Sequence, residues 1–106
     1  MRHDLKCWTE PYQAILNNLK RFELRKNDRP YAVGDILHLQ EWNPDTGYTG
    51  RSLDVEVTWM LSKWGDGLPE GYCIMSISQP WAIFDNETGM GKTLEEWEEL
   101  VENRKV

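Results

Sequence analysis

From Ser52 to Leu61 apolar and polar residues alternate. Leu53, Val55, Val57, Trp59 and Leu61 stand against Ser52, Asp54, Glu56, Thr58 and Met60. A period of two is that of a strand with one buried face. The segment therefore predicts a strand whose odd-numbered residues face a core. One-sided burial predicts an antiparallel sheet, because parallel sheets are covered on both faces. Ile36–Trp42 repeats the pattern, with Leu37 and Leu39 opposite His38 and Gln40. Asn43-Pro44-Asp45-Thr46-Gly47 between these segments is a turn sequence, with Pro fixing φ and Gly free to take positive φ. The pair reads as a hairpin. Residues 71–78 are apolar on both faces and predict a central strand. Residues 3–8 are short and mixed, with Leu5 and Cys7 facing inward from an edge strand. Helical spacing occurs in two places. Thr9-Glu10-Pro11 is a helix start, and Tyr12, Ile15, Leu16 and Leu19 form one stripe ending near Asn18–Leu19. Near the C-terminus Thr93…Glu96 is a capping box. Leu94, Trp97, Leu100 and Val101 then make an apolar stripe opposite Glu95, Glu96, Glu98, Glu99 and Glu102.

These elements predict one α+β domain over residues 1–106: a small, twisted antiparallel sheet with an N-terminal helix and a C-terminal helix at about 93–103. The chain has 106 residues, 40% of them hydrophobic and six of them Trp, enough for a modest core. No apolar run is long enough to span a bilayer and no basic-then-apolar leader is present, so a soluble cytoplasmic protein is expected. Cys7 and Cys73 are then expected as reduced, buried thiols. Neither has metal-ligand spacing with His3 or His38, and no cofactor motif is found. Gly89-Met90-Gly91-Lys92-Thr93 ends like a phosphate-binding loop but lacks the earlier Gly and the preceding strand. A net charge of −6 argues against sequence-independent coating of duplex nucleic acid, which requires a broad basic face.

Against that acidic background stands the stretch Lys20–Asp35. It holds Lys20, Arg21, Arg25, Lys26 and Arg29, five of the twelve Lys and Arg residues. Only Glu23 and Asp28 offset them within residues 20–29, so the local field is cationic. Arg21, Glu23 and Arg25 alternate with Phe22 and Leu24, which places the charged row on one strand face. Two readings stand at this point. The row is a surface salt-bridge ladder of little energetic consequence, or it lines a cationic pocket around one acid. In the second case Arg25 binds a phosphate or base edge through paired donors, and Glu23 accepts from an exocyclic amine. Lys20, at the helix-to-strand junction, is a pocket lysine or a solvated helix-end residue. Trp42, Trp64 and Trp81 lie at or beside loops, where an indole stacks on a base or packs beneath the loop. Trp59 and Trp97 sit on apolar stripes and read as core. His38 reads as a structural strand residue, and Asp35 as an acceptor for backbone amides in the Gly34 turn.

Leu19-Lys20…Phe22-Glu23-Leu24-Arg25-Lys26-Asn27-Asp28-Arg29…Val33-Gly34-Asp35-Ile36-Leu37 resembles the signature of the ASCH superfamily of PUA-like folds. The likeness runs over roughly residues 3–78 and is greatest to a small bacterial and phage branch of unknown function. His3-x-Leu5-Lys6 and Gly71-Tyr72…Ile74 are similar to that branch as well. The resemblance implies a PUA-like pseudobarrel with a cleft between sheet and first helix, lined by Lys20, Glu23 and Arg25. It implies RNA or a nucleoside or nucleotide as ligand, bound with help from Arg21, Lys26, Arg29, Trp42 and Trp64. One ASCH group with a Lys-x-x-Thr-x-Arg junction deacylates acetylcytidine nucleosides. Lys20 and Arg25 match that junction, whereas Glu23 stands in place of the threonine. An amidohydrolase of this chain would then use Glu23 to activate water and Lys20 to polarise the amide, with Glu56 or Glu70 as the distant glutamate. A third reading is a protein-interaction module of phage or plasmid origin that docks a partner through its acidic last helix.

Overall fold

The computed structural model of the protein describes residues 1–85 and the backbone of 91–93. In chain order the elements are β1 (Arg2–Trp8), α1 (Thr9–Leu16), β2 (Phe22–Lys26), β3 (Ile36–Asn43) and β4 (Gly47–Leu61). A 3-10 turn at Gly65–Gly67 follows, then β5 (Tyr72–Ile77), β6 (Ala82–Phe84) and β7 (Gly91–Thr93). Five strands lie in the order β1-β3-β4-β5-β2, and β6 and β7 extend from the first half of β4.

The expected α+β arrangement, a PUA-like pseudobarrel with an antiparallel sheet between two helices, is corrected by this architecture. The described chain is mostly β, with a single α-helix of eight residues. The sheet is mixed, because β1 pairs with β3 in parallel, Leu5 opposite Leu39. Parallel neighbours need a long crossover. Here residues 9–35 supply it, and α1 within that crossover packs on β1 and β3. Residues 2–8 form a full seven-residue strand whose alternate positions His3, Leu5 and Cys7 are buried. The helix expected at 93–103 falls outside the described residues apart from Thr93, which closes β7.

The β3–β4 hairpin follows the sequence pattern. Asn43 pairs with Gly47, and the Asn43 side chain accepts the Asp45 amide at 2.8 Å. Gly47 takes φ +81°, a conformation strained for a residue with a Cβ. Leu37, Leu39, Leu53, Val55 and Val57 are completely buried beneath Tyr12 and Ile15 of α1, with Cys73 and Met75 of β5 in the same core. Each such aliphatic side chain contributes about 1.5–3 kcal/mol by leaving water.

Two expectations about orientation are corrected. The alternation in β4 holds only to Val57. A bulge between Val57 and Trp59 sets two residues against one on β5, and every later side chain changes face. Trp59 is therefore 57% exposed, Leu61 is half-buried, and Met60 packs against the core instead. Asp54, on the face expected to be open, is buried and bonded to His38 Nδ1 at 2.6 Å. The helix also ends earlier than its stripe. Asn17 caps it and Asn18 turns left-handed at φ +60°, leaving Leu19 79% exposed.

Candidate functional site

β2 reverses the ordinary economy of a strand. Phe22 and Leu24 are exposed, while Glu23 between them is 4% exposed and Arg25 is half-buried. Glu23 and Arg25 thus face inward. Register explains it: Glu23 lies opposite Met75 and Arg25 opposite Cys73, both on the core face of β5. A buried carboxylate requires compensation, and Glu23 receives it on both oxygens. Lys20 Nζ donates to Oε1 at 2.6 Å and Arg25 Nε donates to Oε2 at 2.6 Å. Lys20 Nζ also donates to the Phe22 carbonyl at 2.6 Å. The left-handed turn at Asn18 returns Lys20 to this position, because its backbone amide still bonds to the Ala14 carbonyl at 3.1 Å.

Arg25 makes a second connection. Its Nη2 donates to the Lys6 carbonyl of β1 at 2.8 Å. β1 and β2 are the opposite ends of the five-strand order, so the sheet curls until its ends face each other. The gap between them is a cleft of about 530 Å³, within the usual range for small-molecule sites. Lys20, Glu23, Arg25, Lys26 and Arg29 all line it. The cleft therefore lies between two strand edges, not between sheet and helix as expected. From α1 only Pro11 reaches it.

Other expected residues lie elsewhere. Arg21 is exposed and outside the cleft. Trp42 supports its rim indirectly, with its ring 5.2 Å from Trp8 and Lys6 Nζ 4.3 Å above it. Trp64 lines a separate depression, and Trp81 a third beside Glu56. Neither Glu56 nor Glu70 lines the cleft. Lys6, Trp8, Tyr31 and Tyr72 line it although the sequence reading gave none of them a site role. The available signal was the alternation in residues 2–8, which sets Lys6 and Trp8 opposite the buried Leu5 and Cys7.

Burial pushes the Cys7 thiol at the cleft wall up to about 12, with the neighbouring Glu23 charge adding to the effect. A thiol so protonated is a packing group and not a nucleophile. Burial also raises the Tyr31 hydroxyl, against the opposing pull of Arg25 and Arg29. Tyr31 is held by the ring of His3, 4.8 Å away. His3 Nε2 in turn contacts Asp35 Oδ2 at 2.8 Å, and Asp35 accepts the Ala32 amide at 3.0 Å. Asp35 thus fills its expected turn role and anchors one wall of the cleft as well. Among the described residues, no group of three or more His, Cys, Asp or Glu side chains is placed to hold a metal ion. No helix among them is long and apolar enough to cross a membrane.

A family model described as a domain of unknown function, DUF3850, matches residues 2–77. The chain belongs to this family. The matched stretch begins with β1 and ends with β5, so the DUF3850 region contains both walls of the cleft and every residue of the Glu23 cluster. A similar protein is the uncharacterized 12.9 kDa protein in the GpA 3' region of Escherichia phage P2. It is 38% identical over 64 residues, which are 58% of this chain and 58% of the phage protein. The chain thus spans little more than half the length of that relative.

Proposed function

We propose that this DUF3850 protein binds RNA, or a nucleotide-sized part of it, in the cleft between β1 and β2. The observation that carries the reading is the buried Glu23 carboxylate braced by Lys20 and Arg25 in the cleft of an otherwise acidic protein. A surface ladder does not bury its central acid. Here two cations and one carboxylate leave net positive charge, and Lys26 and Arg29 add to it along the cleft against the single further acid Asp28. Arg25 commits Nε to Glu23 and Nη2 to the Lys6 carbonyl, two of the five N–H donors of a guanidinium, and the others suit a phosphate or base edge. Trp8 and Tyr72 offer ring faces for stacking. The likeness of residues 19–37 to ASCH domains supports the same ligand class.

Amide hydrolysis of an acylated nucleoside is the competing chemistry on these residues. In the present geometry both Glu23 oxygens are occupied by cations, so water activation would require one of them to be displaced. Two substitutions separate the readings. Arg25→Ala should weaken nucleotide or short-RNA binding by about 1–3 kcal/mol, the range for a well-formed bidentate contact. Glu23→Gln should preserve most of the affinity or alter ligand preference in a binding module. In a hydrolase using Glu23 as base it abolishes turnover while affinity persists. Parent-like behaviour of both variants with nucleosides, nucleotides and short RNAs would overturn the proposal.

A further inference from the structure

The cleft has a neighbour. Tyr72 lines both the cleft and a second depression of about 450 Å³, formed by residues 62–71 together with Asn27. The two cavities also adjoin along the backbone, since Lys26 lines the first and Asn27 the second. Register gives the spacing. Lys26 pairs with Tyr72, three residues along β2 from Glu23, or about 10 Å at the rise of a strand. That distance leads from the Glu23 site to the Lys26–Tyr72 pair, where the second depression adjoins the first.

The second depression is built around Trp64. This indole is 66% exposed and lies against a backbone turn. The Gly67 amide donates to the Trp64 carbonyl at 2.8 Å, closing a tight turn. The turn brings Gly67 directly onto the ring: a Cβ there would stand 2.3 Å from Trp64 Cδ1 and 2.9 Å from Nε1. Any larger residue at position 67 would push the indole from this position. A large aromatic surface left open on one side and backed by the chain on the other suits stacking of a base. Lys63 beside it contributes a cation, and Ser62 and Asn27 contribute uncharged hydrogen-bonding groups; Glu70 is the acid on the wall.

We infer that the two cavities form one groove for a single-stranded oligoribonucleotide of at least two nucleotides. One base occupies the cleft at Arg25 and Glu23, and its neighbour stacks on Trp64. This deepens the ligand class proposed above and rests on that reading of the first cleft. The backbone would pass along Lys26, which pairs with the shared Tyr72, with Arg29 as a further cation in the cleft.

The test is a comparison of mononucleotide and tetranucleotide affinities for the full chain at one fixed salt concentration, followed by fluorescence anisotropy competition. The parent should bind a tetranucleotide about tenfold or more tighter than the mononucleotide, the scale of one additional stacked base. Trp64→Ala should bring that ratio close to one. Gly67→Ala, which displaces the indole without removing it, should lower the ratio in the same direction. Arg25→Ala should weaken both ligands and preserve the ratio. If the parent binds the mononucleotide but gains nothing from length, the groove is refuted and the cleft reading stands. The groove is equally refuted if Trp64→Ala leaves the ratio intact. If the parent binds neither ligand, the cleft reading fails and the groove with it.

Discussion

Replacing Lys20 and Arg25 together by Met would strand the Glu23 carboxylate, whose side chain is only 5% exposed. The two single substitutions are milder, since each leaves one 2.6 Å ion pair in place. A hydrogen bond to a charged group contributes about 1.5–3 kcal/mol. Lys20 and Arg25 are 21% and 22% exposed, so water screens part of that, and each single variant should lose about 1–1.5 kcal/mol. The double variant should lose about 3–5 kcal/mol, the cost of an uncompensated buried charge. The excess over additivity is the signature of a shared acceptor. For a domain of this size the double loss corresponds to a fall in Tm of roughly 12–20 °C. Adding Glu23→Gln to the double variant removes the charge and should recover at least 2 kcal/mol, by the same argument run in reverse. Urea unfolding followed by tryptophan fluorescence measures each value, with an unchanged m confirming comparable transitions. A double variant within about 1 kcal/mol of the parent would refute the reasoning, because only a carboxylate with access to water is so cheaply deprived of partners.

The bulge in β4 makes Trp59 and Leu53 unequal despite their shared stripe. Trp59→Ser should change stability by no more than about 0.5 kcal/mol, whereas Leu53→Ala should cost about 2–5 kcal/mol, both read from denaturant midpoints. Acid should destabilise the fold through two carboxyls held below the usual range. Burial alone would raise Glu41, but its hydrogen bonds from Arg51 and Thr49 outweigh it. Asp35 is lowered first by its hydrogen bond to His3, against the opposing effect of burial. Below the ordinary carboxylate range the unfolded chain binds more protons than the native one, so stability present above about pH 5 is lost as pH falls toward 3. A pH series of unfolding midpoints should show this slope, shallower in Glu41→Gln; an equal slope would exclude Glu41 as a source. Cys7 and Cys73, both buried with raised thiol values, should react with iodoacetamide at pH 8 only after unfolding, and rapid labelling of the native protein would contradict their placement.

The strand content was legible where it depended on local alternation. Leu53, Val55 and Val57 face the core as their spacing requires, and the hairpin at Asn43–Gly47 follows from its turn residues. The break after Val57 was not legible, because a bulge is set by the partner strand and leaves no mark in the alternation of apolar residues. The parallel pairing of β1 was hidden for a related reason. Seven mixed residues specify a strand, but its neighbour and direction depend on what the crossover packs against. At the site, the clustering of Lys20, Glu23 and Arg25 was visible as a charge island, since all three lie within six residues. Which face of β2 turns inward was not, and the apolar character of Phe22 and Leu24 argues locally for the opposite choice. Trp8 and Tyr72 were not legible as cleft residues because they join it only through the meeting of two distant strand edges.

β2 acquires its ladder partner late in the life of the chain. Leu24 pairs with Ile74, fifty residues further on, and β5 is the one strand that pairs with β2 among the described residues. At ordinary translation rates of about 5–20 residues per second, roughly 3–10 s separate the emergence of the two from the ribosome. Throughout that interval a nascent segment bearing Phe22 and Leu24 offers an unpaired backbone to any passing strand. Lys20, Arg21 and Lys26 flank it in sequence, and like charges on neighbouring nascent chains repel. Lys20 and Lys26, which later line the cleft, would thus serve first, together with Arg21, as guards against co-translational aggregation.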